Sequence, residues 1–350
     1  MEQDVNLNYD ISMLLRTTMK HNASDLHLVA RSEPQIRIDG VLVKLNLPVL
    51  EKKEIDKLCY ALLTDKQKKT LEETRELDFS IDLEEIGRFR VNYYYTMGSV
   101  AAAFRVITTK IPTLEGINAP TILKQLVTRR KGLILVTGPT GSGKTTTVAA
   151  MIDEINKTQK KHVLSIEDPI EYVHKGINCL FSYRNVGEDT KTFNNALKSA
   201  LREDPDIIFI GEMRNTETME IALEAAETGH LVIGTLHTNS AAQTINRIVS
   251  SFEGAKQDQV RSQLSITIEG ILSQILLPRI DGGRVAATEI LVATPAIRNL
   301  IRENKIHQIN SQMMIGQTLT EMKTMAQSLD ELYSKRTISK EEYEIASSTL

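Results

Sequence analysis

The most constraining stretch of this chain is Gly138-Pro139-Thr140-Gly141-Ser142-Gly143-Lys144-Thr145, which matches G-x-x-x-x-G-K-[ST] at every fixed position. Glycines at these spacings let the backbone turn tightly, so that successive N–H groups point inward at a phosphate. Lys144 supplies a point charge for the β- and γ-phosphates, and the Thr145 hydroxyl is a ligand for Mg²⁺. Thr146 extends the phosphate-binding set by one residue. An apolar run, Leu133–Val136, leads into the loop, and Val148, Met151, Ile152 and Ile155 follow it at helical spacing. A strand, a phosphate loop and a helix in that order predict a bound nucleoside triphosphate, with the helix start adding its positive end.

The pattern around the loop predicts an α/β fold. Strand-like segments at 132–137, 162–166, 207–210, 231–235 and 284–291 alternate with helical ones, the mark of a parallel sheet covered on both faces. The first third reads differently. Tyr9–His21 has helical apolar spacing, and extended stretches follow at 26–30, 35–39 and 41–45, the last two joined at a turn through Asp39-Gly40. After helical segments at 51–63 and 66–73, strands are expected at 78–81, 87–95 and 100–107, with a turn at Met97-Gly98-Ser99. Residues 108–119 hold Pro112, Gly116 and Asn118 without periodicity and read as a linker. The expected organisation is therefore a domain over 1–107, a linker over 108–119, an ATPase core over 120–294 and a helical region over 295–350.

In such a sheet, ligands sit at the carboxyl edge of the strands. Glu167-Asp168-Pro169 follows one expected strand, with Glu171 close behind. Gly211-Glu212-Met213-Arg214 follows the next, and His237 follows the third, which His230 precedes. Hydrolysis of a phosphoanhydride needs a metal clamp, a group that orients water, and positive charge on the leaving oxygens. Glu212 occupies the Walker B position, though Gly211 stands where an aspartate usually precedes it. Glu167 orients the water while Glu212 holds the metal shell, or the two exchange roles. His230 and His237 are candidates beside them, each with a hydrogen-bonded structural role as the alternative.

Composition narrows the class. A net charge of -3 and a pI near 6.2 disfavour a nucleic-acid partner. Cys59 and Cys179 stand far apart and exclude a cysteine-built zinc site. No apolar run reaches the about 20 residues that cross a bilayer, and Met1–Asp10 lacks a signal-peptide pattern, so a cytoplasmic location is expected.

With these residues in hand, the chain resembles the secretion ATPase superfamily, and most closely its type IV pilus retraction ATPases, the PilT family. The resemblance rests on Ala23-Ser24-Asp25-Leu26-His27-Leu28, Arg88-Phe89-Arg90-Val91-Asn92, the phosphate loop and Ile166-Glu167-Asp168-Pro169-Ile170-Glu171. It rests also on Leu201–Asp206 through Gly211-Glu212-Met213-Arg214, and on Ala226-Glu227-Thr228-Gly229-His230 through His237-Thr238. Gly211-Glu212 is then the family's own form of Walker B. The resemblance implies a PAS-like N-terminal α+β domain, a RecA-like ATPase domain and a homohexamer that hydrolyses ATP with Mg²⁺. It further implies that Arg90 and Arg105, with Arg88 as a third candidate, reach the nucleotide when the domains close.

Assembly and type II secretion ATPases of the superfamily usually carry an extra N-terminal domain and a four-cysteine insertion, and neither is present in this sequence. Ala296-Ile297-Arg298-Asn299-Leu300-Ile301-Arg302-Glu303 resembles the motif the family needs for retraction; its apolar spacing also suits a packing helix. The expected partner is an inner-membrane platform protein, with membrane association through partners only. The competing readings are a motor for assembly or export, a nucleic-acid translocase, and a nucleotide switch without useful turnover.

Overall fold

The computed structural model describes residues 9–38, 40–107, 111–315 and 317–349. Asp39 of the expected turn, residues 108–110 of the expected linker and most of Met1–Asp10 lie outside them. By its internal contacts the chain divides into two compact units, Met1–Lys110 and Ile111–Leu350.

In the first unit, α1 (Ile11–Lys20) starts where the Asp10 side chain accepts the Met13 N–H, a side-chain cap for an otherwise unpaired donor. Strands β1 (Asp25–Leu28), β2 (Gln35–Ile38) and β3 (Val41–Lys44) precede helices α2 (Lys52–Tyr60) and α3 (Asp65–Thr74). Strands β4 (Glu76–Leu83), β5 (Gly87–Thr96) and β6 (Ser99–Ile107) complete an antiparallel sheet of order β3-β2-β1-β6-β5-β4. Period-2 alternation gives β1 and β5 one apolar face, whereas β3 is exposed throughout. Leu26, Leu28, Phe89, Val91 and Phe104 are buried with Leu14 and Leu15 of α1. Tyr93 sits edge-to-face between Phe79 and Phe104, at centroid distances of 5.2 and 5.9 Å. The opposite face carries Asp25, His27, Arg88, Arg90 and Arg105.

The second unit opens with α4 (Ile122–Leu126) and β7 (Gly132–Thr137), followed by α5 (Lys144–Thr158) and β8 (His162–Glu167). Then come β9 (Leu180–Asn185), α6 (Phe193–Ala200), β10 (Ile207–Ile210), α7 (Thr216–Thr228) and β11 (Leu231–Leu236). Helices α8 (Ala241–Ser250) and α9 (Gly254–Thr267) lead to β12 (Ile268–Pro278) and β13 (Arg284–Val292). Short helices follow: α10 (Pro295–Arg302), α11 (Ile309–Met314), α12 (Gln317–Thr320), α13 (Met325–Ser334) and α14 (Lys340–Ser348).

The seven strands have the order β13-β12-β7-β11-β10-β8-β9, parallel except for β13. Every residue of β7, β10 and β11 is buried, as a parallel sheet covered on both faces requires. Leu133, Leu135, Ile208 and Ile210 pack on one face, in a cluster with residues of α6–α9. Ile134, Val136, Ile207 and Phe209 pack on the other, against α5. The fold is thus mixed α/β, with an antiparallel N-terminal sheet and a parallel-rich C-terminal one. Strands β9 and β12 were not expected from the sequence. Strand β9 is half exposed and lacks a clean alternation, and β12 follows α9 without an intervening turn.

Candidate nucleotide site

The phosphate loop leaves the carboxyl end of β7, between β11 and β12. Gly138 has φ 143°, and a Cβ there would lie 2.2 Å from the carbonyl oxygen of Gln274, so no side chain fits. Gly143, at φ 87°, caps α5 at its N-terminus. The Lys144 Nζ folds back and donates to the carbonyls of Gly138 at 2.8 Å and Pro139 at 3.0 Å. Burial pushes its pKa down, while the Glu212 and Glu171 carboxylates pull the other way. The lysine is thus parked across the loop it would share with a phosphate.

Gln274, on β12 and 2% exposed, braces this loop. Its Nε2 donates to the Ser142 carbonyl at 2.6 Å, and its Oε1 accepts from the Thr147 hydroxyl at 2.9 Å. The Ser142 hydroxyl is buried without a protein partner. That orphaned donor, with the glycine-shaped loop at the start of a long helix, fits an anionic ligand. Sequence reasoning missed Gln274. The signal was a polar Ser273-Gln274 pair inside the apolar run Ile271–Leu277.

Three more carboxyl strand ends lie along the same edge. Glu167 closes β8 and is 5% exposed. It accepts from the Ser165 hydroxyl and, at 3.4 Å, from the Glu171 N–H. With Thr145, Ala149, Tyr172, His174 and Phe181 it lines a small, mainly apolar cavity. The Tyr172 hydroxyl lies 3.2 Å from that of Thr146, joining the segment after β8 to α5. Glu212, after β10, is bracketed by Arg214 at 2.7 Å and by the His237 Nε2 at 2.9 Å. Glu212 and His237 therefore meet, although they come from different strands. A Cβ on Gly211 would lie 3.2 Å from both the Ile166 carbonyl oxygen and the Glu167 Cα. A side chain in the place of the usual Walker B aspartate would therefore be tightly packed against β8.

The expected convergence fails for His230. It precedes β11 at the amino edge of the sheet, where its Nδ1 lies 3.0 Å from the Ala225 carbonyl and its own carbonyl accepts from Gly132 N. In a parallel sheet that end is a full strand length from the loop, roughly 20 Å for six residues. Arg90 and Arg105 belong to the first unit. They are cross-strand neighbours on β5 and β6, and both are exposed. Arg105 donates to Asp25 at 2.8 Å, with Arg37 at 3.9 Å on the other oxygen. Burial pushes the Asp25 carboxyl up, but the hydrogen bonds from Ser24 and Arg105 and the nearby charges outweigh it and hold the carboxyl below its ordinary value. The Arg88 Nε is buried without a partner.

The retraction-motif segment forms α10. Ile297 and Ile301 are fully buried. Arg298 donates to the Ser265 and Ile266 carbonyls at 3.1 and 2.6 Å and to Glu269 at 2.7 Å, so it caps the end of α9. Among the described residues no helix is long and apolar enough to cross a membrane.

A glycine-rich phosphate loop at the carboxyl edge of a parallel sheet, with two acidic strand ends beside it, defines a P-loop nucleoside triphosphate hydrolase. Residues 1–349 match the family described as type II/IV secretion system protein. The chain is 50% identical over 332 residues to the type IV pilus retraction ATPase PilT of Pseudomonas aeruginosa, covering 95% of this chain and 96% of that one. It is 48% identical over 334 residues to the twitching motility protein of Neisseria gonorrhoeae, covering 95% and 89%. A crystal structure of the pilus retraction motor PilT with bound ADP superposes with a TM-score of 0.91 at 50% identity, over 96% of each chain. The chain belongs to the type II/IV secretion ATPases and, within them, to the PilT family.

Proposed function

We propose that this ATPase drives type IV pilus retraction as a homohexamer at the cytosolic face of the inner membrane, pulling through a platform protein. The carrying observation is the Glu212–His237 pair formed on the same sheet edge as Lys144, in a chain similar to PilT along almost its whole length. The phosphate loop, Gly138 to Thr146, binds the triphosphate. The Thr145 hydroxyl and Glu212 would be hard oxygen ligands for Mg²⁺, which would supply positive charge to the phosphate oxygens. Lys144 exchanges its two carbonyl acceptors for phosphate oxygens.

Glu167 and Glu212 divide the remaining acid work. One orients or deprotonates the water while the other completes the metal shell, and His237 fixes the Glu212 rotamer. Arg90 and Arg105 supply positive charge when the domains close, and hydrolysis releases them. Only the difference in nucleotide affinity between closed and open arrangements can do work on a pilus. His230, remote from the loop within its own unit, is left out of this hydrolytic set.

The test is ATP hydrolysis and particle size for wild type, Lys144→Ala and Arg90→Ala, followed by pilus retraction in cells. Lys144→Ala is expected to lose all measurable turnover. Arg90→Ala is expected to keep its assembly while losing about 10³-fold or more in rate, the scale of a positioned arginine. Normal hydrolysis by Arg90→Ala would end the domain-closure mechanism. An active ring that leaves pili extended would favour an export or assembly role.

A further inference from the structure

Glu289 lies in the middle of β13, on the face that Val285, Ala287 and Leu291 share, and is 4% exposed. A carboxylate at an apolar position is costly unless its oxygens are satisfied. Its Oε1 accepts from the Ala241 N–H at 2.7 Å, and its Oε2 accepts from the Met325 N–H at 3.4 Å. These are the first residues of α8 and α13, so one carboxylate joins two helix N-termini from distant parts of the sequence. Burial pushes the Glu289 carboxyl up, against the two N–H donors, and among the described residues no cation is paired with it.

Each helix is tied to a neighbouring segment. Helix α8 begins four residues after β11, and the intervening His237-Thr238-Asn239-Ser240 is strapped to its first turn. Thr238 Oγ1 lies 2.7 Å from Thr244 Oγ1, and Asn239 N donates to Gln243 Oε1 at 3.3 Å. The placement of α8 therefore sets the loop whose His237 meets Glu212. Around Met325, the segment entering α13 is docked along β13. Ile290 and Lys323 exchange backbone hydrogen bonds at 2.9 and 3.1 Å, and the Ser328 hydroxyl accepts from Thr288 N at 2.9 Å.

We propose that Glu289 is a positioning residue that couples the docking of the C-terminal helices α13 and α14 to the placement of His237 against Glu212. The coupling makes hydrolysis sensitive to whatever moves those helices. It rests on the reading of His237 and Glu212 as a hydrolytic pair.

The test uses the full chain and measures kcat, KM for ATP, affinity for a fluorescent ADP analogue and Tm. The variants are Glu289→Gln, His237→Ala and the double variant. Glutamine keeps the shape, but its amide sets one N–H against another N–H and so breaks one of the two arms. Glu289→Gln is expected to lower kcat about tenfold and leave ADP affinity within about twofold. The double variant is expected to be no slower than His237→Ala alone, because a residue acting through His237 has nothing left to position.

If the two losses multiply, or if Glu289→Gln keeps wild-type kcat, the coupling is overturned while the pair stands. If His237→Ala keeps wild-type kcat, the reading of the pair falls first and the coupling falls with it. Should Glu289→Gln fail to fold, Ser328→Ala carries the test. It loosens α13 from the far side of β13, with an expected loss of about threefold that vanishes in the His237→Ala background.

Discussion

The two flanks of β7 place their polar residues differently. On one side, β11, β10 and β8 end in His237, Glu212 and Glu167, side chains at or just beyond strand tips. On the other side, β12 and β13 hold Ser273, Gln274 and Glu289 inside the strands, each buried and each hydrogen-bonded. Glu212 and His237 lie beyond the ladder and meet each other there, whereas Glu167 is still the last rung of β8 and is buried. Interior residues are fixed by neighbours, so they set where the loops go. On the roles proposed above, reactivity and geometry come from opposite sides of the phosphate loop.

The largest effect expected from that division is at a tip. Glu212→Gln keeps volume and loses charge, so kcat should fall about 10²–10³-fold with Tm almost unchanged, as for other electrostatic contributors to a transition state. A mutant that unfolds instead would erase the distinction between the flanks. The next effect is interior. Gln274→Leu leaves the Ser142 carbonyl and the Thr147 hydroxyl without their buried partner. A stability loss of about 3 kcal/mol is expected, read from denaturant unfolding, with weaker ADP binding measured by titration. Unchanged stability would mean that the loop holds itself.

A smaller effect concerns His174 on the outer part of the tip side, which stacks on Phe181 at 5.2 Å. Burial pushes its pKa down to about 4, with Asp153 opposing only in part. The unfolded imidazole binds protons below about pH 6.5 while the folded one stays neutral, so stability is full above that value and is lost as pH falls toward 4. About 2 kcal/mol should disappear between pH 7 and pH 5, and His174→Phe should flatten that part of a Tm-versus-pH curve. A His174→Phe curve that still falls in parallel with wild type would move the acid sensitivity elsewhere.

The sequence disclosed the tip flank well and the interior flank poorly, for physical reasons. The phosphate loop is a local motif, and β7, β10 and β11 are short apolar runs bounded by Gly, Asp-Pro or His, so their ends could be read. Strand β12 begins at Ile268 directly after Thr267 ends α9, with no glycine or proline to mark the change of period. Gln274 therefore had no strand to be assigned to, and Glu289, inside the expected strand at 284–291, had no visible helix partners. His230 lay beside a strand in the sequence, but only strand polarity decides which edge it reaches. Gly211 was legible as an anomaly, but its close approach to β8 was not.

That glycine also constrains how such a chain can change over generations. From a glycine codon that ends in T or C an aspartate codon is one base away, so the more familiar acid pair can lie within a single mutational step. The step lands on the Ile166 carbonyl and Glu167 Cα, 3.2 Å from any new Cβ, and is accepted only if two hydrogen-bonded strands part by a few tenths of an ångström. An aspartate at this position therefore asks for an adjustment of β8 as well as a change of one residue.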